Sequence, residues 1–347
     1  MEKLLEQVDG LLLTSWQNRF YGSGGDISEG VALITKAGCR YYTDSRYLEA
    51  AQKEIPNAQV LLVDRQNSYT KRLREDLEQL QVKTLGYEED QLTVSEFEAY
   101  RKALPAEFVP MQKQLDSLRW IKQDWELERM RKAQAITDLT FTQMLEKIRP
   151  GITEKQLQAE LIYHLYKNGA DGLSFDPIVV SGPNTSLPHG VAGDRVIQSG
   201  DFVTLDFGVR LNGYCSDMTR TLAVGYATEE MRKVYDTVLQ AQLAGIAATR
   251  AGVRGREVDA AARQVIESAG YGEYFGHGYG HGMGLLVHES PSCNPSGETV
   301  MAENMVSSAE PGIYLPGKFG VRIEDVVIFK ADGCENITQS PKKLIIL

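Results

Sequence analysis

The first third of the chain alternates short apolar runs with polar stretches that suit helices. The apolar runs, which favour strands, lie at 10–15, 31–35, 59–63 and 84–87. Such alternation of strands and helices is typical of an α/β domain. This part of the chain has no histidine and no phosphate-binding glycine loop. We therefore predict an α/β domain at residues 1–118 that either shapes a site located elsewhere or serves only as structure.

A domain boundary is predicted between residues 112 and 124, which assigns 119–347 to a second domain. Apolar residues recur at near-helical spacing from 124 to 148, and Pro150 follows that helix. A second helix is predicted to begin at Thr153, which suits the N-cap position, and to end near residue 168.

The rest of the second domain mixes strands with another pair of helices, predicted at 229–250 and 256–269. Strand character is found in four segments: 175–180, 201–224, 321–329 and 343–347. Two helix pairs interleaved with largely antiparallel strands indicate an α+β domain with a hint of internal duplication.

The segment 203–224 (VTLDFGVRLNGYCSDMTRTLAV) is predicted to form a β-hairpin. Its Asn212-Gly213 dipeptide is the one that two-residue type I′ turns prefer, because both positions need a positive φ. With those two residues as the loop, Asp206 lies opposite Thr219. Side chains alternate along a strand, so Asp206 and Asp217 share one face as diagonal neighbours, roughly 7 to 8 Å apart.

Two aspartates on one sheet face repel each other and resist burial unless a cation or a shared proton intervenes. Asp206 is surrounded by Phe202, Val203, Leu205 and Phe207, which indicates a strand buried on both faces. Burial favours a metal site over an exposed hairpin whose aspartates face water. A pair of carboxylates sharing one proton is the competing interpretation, but such a pair would not need the histidines that follow.

Histidine is concentrated in the glycine-rich segment 275–289 (FGHGYGHGMGLLVHE). The glycines exclude a stable helix and let backbone and substrate approach closely. Their spacing does not match the dinucleotide-binding fingerprint, and the HExxH zinc motif is absent. One of His277, His281 and His288 is expected to bind metal, while the others hold substrate or move protons. A solvated glycine-rich loop is the alternative.

Two glutamates flank the turn-prone Pro316-Gly317. Folding the chain about Gly317 brings Glu310 opposite Glu324, and Arg322 shares a strand face with Glu324, where it can orient a ligand carboxylate. A surface salt bridge is the alternative. Four carboxylates and one imidazole suit two divalent cations. The predicted ligands are Asp206, Asp217, His281, Glu310 and Glu324.

Composition limits the classes of binding partner and the cellular compartment that we expect for this protein. The net charge of −10 and the pI near 5.2 argue against nucleic-acid and anionic-membrane partners, which would repel such a surface. The first ten residues (MEKLLEQVDG) do not have the pattern of a signal peptide, and no apolar run is long enough to span a membrane. The four cysteines are scattered without a CxxC pair, which favours a reducing cytoplasm over a disulfide framework.

Six ordered motifs resemble one known family. They are SGPNTSLPHG at 181–190, GDFVTLDFG at 200–208, SDMTRT at 216–221, GHGYGHGMGLLVHE at 276–289, AEPGIY at 309–314 and VRIED at 321–325. Together they resemble the pita-bread metallopeptidases, specifically the Xaa-Pro aminopeptidase and prolidase branch. The resemblance implies a C-terminal pita-bread (creatinase/aminopeptidase) fold, preceded by an N-terminal α/β domain of the creatinase type.

The resemblance also assigns roles. It implies two divalent metal ions on the five predicted ligands, with Asp217 and Glu324 as bridges and Glu310 relaying a proton. It implies that His189 and His288 contact the substrate and stabilise the tetrahedral intermediate. We further expect His277, Arg322 and Tyr314 to bind substrate or to support the metal ligands. Manganese is the expected metal, with cobalt or zinc as alternatives. The expected substrates are peptides with proline in second position, and the expected assembly is a homodimer.

One departure from the family bears on specificity. Prolidases, which cleave dipeptides, tend to carry an arginine shortly after the VHE motif to bind the free carboxylate of the substrate. Here the nearby positions are Ser292, Cys293 and Asn294, so we favour an aminopeptidase acting on longer Xaa-Pro peptides, with a prolidase as the alternative. A non-catalytic binding protein on the same fold is the alternative from another class. A serine hydrolase is disfavoured, because the Gly-x-Ser-x-Gly motif is absent.

Overall fold

The computed structural model describes residues 1–347. The chain divides into two compact units, Met1–Arg119 (unit 1) and Trp120–Leu347 (unit 2). The division lies next to the domain boundary expected from the sequence. None of the helices combines the length and apolar character needed to cross a lipid bilayer.

Unit 1 is a six-stranded mixed sheet with five helices, and its strand order is β4-β3-β2-β1-β5-β6. Its strands are β1 (Gly10–Leu13), β2 (Val31–Thr35), β3 (Gly38–Thr43), β4 (Ala58–Leu62), β5 (Thr84–Tyr87) and β6 (Glu107–Pro110). Its helices are α1 (Trp16–Ser23), α2 (Leu48–Glu54), α3 (Tyr69–Gln79), α4 (Val94–Ala103) and α5 (Gln112–Ser117).

The four strands predicted in unit 1 are present, but β3 and β6 were not predicted. Strand β3 pairs with β2 through a tight turn in which Gly38 has a φ of 119°. Its first half is partly exposed and polar, so the sequence lacks the apolar run by which the other strands were recognised. Strand β6 is short and ends in Pro110 at the edge of the sheet, where proline is tolerated.

Four helices of unit 2 form two pairs that occur one after the other along the chain. They are α6 (Asp124–Met144), α7 (Glu154–Lys167), α8 (Glu229–Ala248) and α9 (Gly255–Ser268). Helix α7 begins with a capping box, in which Thr153 and Gln156 each accept a hydrogen bond from the backbone N–H of the other. Helix α6 ends at Met144, short of the predicted residue 148, and turns lead on to Pro150.

The strands of unit 2 pair antiparallel throughout. The sheet orders are β11-β10-β7, β12-β9-β8, β14-β13-β15-β18-β19 and β16-β17. The strands are β7 (Gly172–Leu173), β8 (Ile178–Ser181), β9 (Phe202–Phe207), β10 (Val209–Leu211), β11 (Tyr214–Cys215), β12 (Met218–Ala223), β13 (Gly280–Gly282), β14 (Glu289–Cys293), β15 (Val306–Ala309), β16 (Gly312–Leu315), β17 (Phe319–Arg322), β18 (Asp325–Lys330) and β19 (Gly333–Asn336). The mixture of helices and antiparallel sheets confirms the α+β class.

Two strand predictions in unit 2 are wrong in detail. The segment 321–329 is two strands, because the ladder is interrupted between Arg322 and Asp325. The segment 343–347 forms only an isolated bridge between Ile346 and Ala223. Since Ala223 is the last residue of β12, the C-terminal segment has only the end of a strand to pair with.

The hydrophobic core lies between the helices and one face of each sheet. In the first half of unit 2, Val203 and Leu205 of β9 belong to the same buried cluster as Leu157 and Leu161 of α7. In the second half, a separate cluster joins α8 and α9 to strands β15 to β18. Because side chains alternate along a strand, Asp206 of β9 points away from the helices. The sheet faces that do not pack on the helices are therefore available for a site.

Arg220 of β12 is a buried link between the two halves of unit 2. Its Nη2 lies 2.7 Å from Asp325 Oδ1 of β18, and both side chains are almost fully buried. The same guanidinium donates to the backbone carbonyls of Glu324, Ser340 and Pro341. One side chain thus connects β12, β18 and the C-terminal segment.

Replacing Arg220 by methionine should destabilise unit 2 by about 3–5 kcal/mol, because it leaves several buried acceptors without their donor. The control is Arg131→Met, which breaks the half-exposed pair with Glu335 and should cost less than about 1 kcal/mol. Urea unfolding followed by tryptophan fluorescence measures both effects. Equal midpoints for the two variants would contradict the role given to Arg220.

Candidate metal centre

The hairpin of strands β9 to β12 has the register predicted from its sequence. Asp206 pairs with Thr219, and Leu211 pairs with Tyr214 across a turn whose Asn212 and Gly213 have φ values of 49° and 87°. Asp217 lies where the hairpin divides between its two sheets, just before β12.

Close approach of the two strands at this division depends on glycine. A Cβ atom on Gly208 would lie 1.9 Å from the carbonyl oxygen of Ser216. No other residue fits there without moving the backbone that carries Asp217.

Glu310 and Glu324 occupy a similar break in the second half of unit 2. Ala309 pairs with Asp325 in the β15–β18 ladder, and Gly312 pairs with Arg322 in the β16–β17 ladder. The same register places the two glutamates opposite each other between the ladders, as predicted from the turn at Gly317. Their backbone N–H groups donate elsewhere, to the carbonyl oxygens of Tyr279 (2.8 Å) and Thr219 (3.1 Å).

All five predicted ligands line one cavity of about 820 Å³. Ligand atoms of Asp217, His281 and Glu324 lie within 4.8 Å of one another. His281 Nε2 lies 3.6 Å from Asp217 Oδ2 and 3.2 Å from Glu310 Oε1. Asp206 lies on β9, diagonally across the hairpin from Asp217, and lines the same cavity. The structure thus brings together residues from four separate segments of the sequence.

The hydrogen bonds of His281 fit a metal ligand. Its Nδ1 lies 3.1 Å from the carbonyl oxygen of Gly282, which can only accept, so Nδ1 carries the proton. Burial lowers the pKa of the imidazole, which favours the neutral ring. Nε2 then presents a lone pair toward the oxygens of Asp217 and Glu310. Acceptor atoms that face one another in this way are stabilised by a proton or a cation between them, and the hydrogen bond that fixes Nδ1 is the arrangement of metal-binding histidines.

The pKa values of the carboxylates also favour a bound cation. Burial raises the pKa values of Asp217 and Glu324 well above the ordinary range, and the charges of neighbouring carboxylates add to both shifts. Burial likewise raises the pKa of Glu310. Asp217 Oδ1 is buried and has no hydrogen-bond partner. Four carboxylates and one imidazole therefore fit divalent cations, which would offset their charge and supply the missing partner.

Arg322 and Thr219 donate hydrogen bonds to carboxylates among the predicted ligands. The guanidinium of Arg322 donates to Asp206 Oδ2, to Thr219 Oγ1 (3.0 Å) and to the Tyr314 hydroxyl (2.7 Å). Thr219 in turn donates to Glu324 Oε2 at 2.7 Å. The sequence indicated that Arg322 orients a ligand carboxylate, but the part of Thr219 was missed. Its place opposite Asp206 in the hairpin was the available signal.

Tyr314 connects this network to His277. Its hydroxyl lies 2.9 Å from His277 Nε2, while His277 Nδ1 donates to the carbonyl oxygen of Gly278. Burial raises the pKa of Tyr314 to about 12, so the hydroxyl stays protonated. It therefore donates a hydrogen bond to His277 Nε2. His277, Arg322 and Tyr314 therefore lie together beside the cavity, with Arg322 bonded directly to a predicted ligand.

The remaining walls of the cavity differ in character. The lining also includes His189 and the neutral polar side chains of Ser292 and Asn294. His288 packs against His281 with ring centroids 4.3 Å apart. The apolar residues that line the cavity are Phe175, Ile178, Leu187, Pro188 and Val287.

Two family models match the chain. The model of metallopeptidase family M24 matches residues 128–331, and that of the creatinase/prolidase N-terminal domain matches residues 5–121. The uncharacterized peptidase YqhT of Bacillus subtilis is 40% identical over 341 residues, which are 98% of this chain and 96% of the relative. The Xaa-Pro dipeptidase of Pyrococcus horikoshii is 36% identical over 339 residues, 97% of this chain and 95% of the relative.

Solved structures agree with these matches. An Xaa-Pro dipeptidase from Bacillus anthracis has a TM-score of 0.96 and 43% identity, covering 100% of this chain and 98% of that one. An X-Pro aminopeptidase from Thermotoga maritima has a TM-score of 0.94 and 36% identity, covering 100% of this chain and 99% of that one. The likeness confirms the pita-bread fold with a creatinase-type N-terminal domain.

Asp217→Asn should abolish the binding of divalent metal and, in metal-free protein, increase stability at neutral pH. An acid with a raised pKa stabilises the folded chain below its unfolded value of about 4, and this contribution is lost as pH rises through the folded value. The stability advantage of the variant over its parent, both chelated, should therefore grow between about pH 5 and pH 8. Atomic emission after dialysis and thermal unfolding measure the two effects.

The control for this variant is Asp194→Asn, which removes an exposed carboxylate paired only with Lys155. It should change neither metal content nor the pH dependence of stability. Full metal content in Asp217→Asn would contradict the assignment of the ligand, as would a loss of stability in its metal-free form at pH 8.

Proposed function

The chain belongs to metallopeptidase family M24, and on that premise we propose that it hydrolyses the bond before a proline in second position, releasing the N-terminal residue from peptides longer than two residues. The observation that carries this proposal is the convergence of four carboxylates, three of them buried, and His281 on one cavity, with a carboxylate oxygen that lacks a partner. A hydrolase that must bind two cations needs such a set of ligands.

We propose that two divalent ions would be held by Asp206, Asp217, His281, Glu310 and Glu324, and that the ions would share Asp217 and Glu324. Bound divalent ions would polarise the scissile carbonyl and make water a stronger nucleophile near neutral pH. Oxygen ligands with a single nitrogen favour manganese or cobalt over zinc, and manganese is our first choice. The homodimeric assembly and the cytoplasmic location stay predictions.

Glu310 is the proposed carrier of the proton. Its Oε1 accepts a hydrogen bond from Ser308 at 3.0 Å, which leaves Oε2 for the attacking water. Because burial raises its pKa, the carboxylate takes up a proton more readily than an ordinary glutamate does. The same oxygen can then pass the proton to the proline nitrogen, which must be protonated to leave as an amine.

His288 and His189 are both proposed to contact the peptide. Burial lowers the pKa of His288, so its ring is neutral and can donate one hydrogen bond to the oxygen of the scissile carbonyl. His189 lines the same cavity, as do its chain neighbours Pro188 and Leu187. A proline residue lacks an N–H group. Its ring can therefore pack against an apolar wall without leaving a hydrogen-bond donor unpaired.

Preference for longer peptides is supported by the charges around the cavity. Arg322 is the only lysine or arginine that lines it, and its guanidinium is already bonded to Asp206, Thr219 and Tyr314. The carboxylate of a dipeptide would therefore find no free cation. Similarity to Xaa-Pro dipeptidases, such as the Bacillus anthracis protein, favours a prolidase as the second candidate.

Protein reconstituted with manganese should hydrolyse Xaa-Pro-Yaa faster than Xaa-Pro and leave Xaa-Ala-Yaa intact. Chelation should abolish the activity, because the buried carboxylates would lose the cations that they need. Amino-acid release measured by chromatography gives kcat/KM for each peptide. Full activity after exhaustive chelation would contradict the metal-dependent mechanism. Faster hydrolysis of the dipeptide would favour the prolidase.

Ser292→Arg should shift the preference toward dipeptides, because it adds a cation to the wall of the cavity. We expect the ratio of kcat/KM for Xaa-Pro to that for Xaa-Pro-Yaa to rise roughly tenfold, the effect of about 1.4 kcal/mol of added binding. Ser292→Met adds comparable bulk without charge and is the matched control. An equal change in both variants would attribute the effect to size rather than charge.

A further inference from the structure

His189 belongs to a loop whose two ends are held by one buried carboxylate outside the cavity. We call residues 181–193 the His189 loop. We propose that Glu154 of α7 is the positioning residue of this loop and so determines where His189 stands at the cavity. The consequence for catalysis rests on the proposed function, in which His189 contacts the peptide.

Glu154 is fully buried and lies in the first turn of α7. Its Oε1 accepts hydrogen bonds from the backbone N–H of Ser181 (2.7 Å), the hydroxyl of Ser181 (2.8 Å) and the amide of Asn184 (3.0 Å). Its Oε2 accepts from the backbone N–H of Gly193 at 2.9 Å. The carboxylate therefore binds the beginning of the His189 loop with one oxygen and the end with the other.

Backbone contacts fasten the same region to the start of α7. Lys155 donates its N–H to the carbonyl oxygen of Gly193, and Glu154 donates its own to that of Arg195, both at 3.1 Å. The side chain of Arg195 bonds to Ser181 and Asp201 rather than to Glu154. The hydrogen bonds to the Glu154 carboxylate therefore come from neutral donors, all of which belong to the His189 loop, while the nearby guanidinium of Arg195 acts on Glu154 electrostatically.

The side chain of His189 is exposed and makes no hydrogen bond with the rest of the protein, so its position follows from the backbone of the loop. Within the loop, the N–H of Gly190 donates to the carbonyl oxygen of Leu187 at 3.0 Å. Arg322 Nη1 reaches the carbonyl oxygen of Pro188 at 3.2 Å. A loop that moved at its ends would move His189 relative to the metal ligands.

Glu154→Gln tests this role with little change in size. One acceptor oxygen becomes an amide that faces donors of the loop, so at least one buried N–H or hydroxyl loses its partner. Hydrogen–deuterium exchange of the whole protein should show loss of protection in residues 181–193. The matched control is Glu88→Gln in unit 1, since Glu88 is equally buried and accepts hydrogen bonds from Thr14, Ser15 and Asn18. It should leave exchange in the loop unchanged.

Kinetics provide a second test through a double-mutant cycle. We expect Glu154→Gln to lower kcat/KM for Xaa-Pro-Yaa about 10- to 100-fold, as misplacement of a substrate-positioning group does. If Glu154 acts through His189, adding Glu154→Gln to His189→Ala should lower kcat/KM less than threefold further. Glu88→Gln should leave kcat/KM unchanged.

Two results would overturn the role of Glu154: unchanged exchange in the His189 loop of Glu154→Gln, or full multiplication of the two effects in the double variant. The latter would show a general structural defect that does not act through His189. Failure of the parent protein to cleave any Xaa-Pro peptide would instead contradict the proposed function. Hydrogen–deuterium exchange in the His189 loop would then be the measurement that decides the role of Glu154.

Discussion

Mutual repulsion of buried carboxylates is the constraint on which this structure depends. Asp206, Asp217, Glu310 and Glu324 share one cavity, and burial raises the pKa values of three of them. Such a cluster is unfavourable by itself, since each charge loses its water and faces others of the same sign. Under the proposed function, bound cations would offset this repulsion, and metal binding would then stabilise the fold.

The fold holds these groups in place by a repeated device. In each half of unit 2, two helices cover one face of antiparallel strands, and the opposite face carries the acidic residues. Asp217 follows the division of one hairpin, while Glu310 and Glu324 lie between the ladders of another. A break in a ladder frees the backbone from its partner strand. The side chains there can turn toward a shared centre instead of the neighbouring strand.

Hydrogen-bond donors fix the orientation of the carboxylates in the cavity. Thr219 and Arg322 bond to carboxylates of the centre, and Arg220 holds the backbone beside Glu324. Glu154 reverses this pattern, because there a buried acceptor collects donors from a loop. In both cases, hydrogen-bonding partners fix the position of groups that line the cavity, which is a general feature of preorganised sites.

Local patterns in the sequence were enough to predict the hairpin register and to bring Glu310 opposite Glu324, since turn residues and alternation determine both. The interruption of the strand after Arg322 could not be predicted, because it depends on which partner each backbone group finds. The same holds for Glu154, whose partners lie 27 to 39 residues away. Motif resemblance pointed to the family, while long-range hydrogen bonds became visible only in the folded chain.

The central claim is that the four carboxylates and His281 exist to hold two cations. Anomalous diffraction from crystals of the manganese-loaded protein tests it most directly, because the signal locates each ion without reference to activity. Our account predicts two anomalous peaks within ligand distance of Asp206, Asp217, His281, Glu310 and Glu324, with Asp217 and Glu324 contacting both. A cavity without anomalous signal in protein that has been saturated with manganese would contradict it.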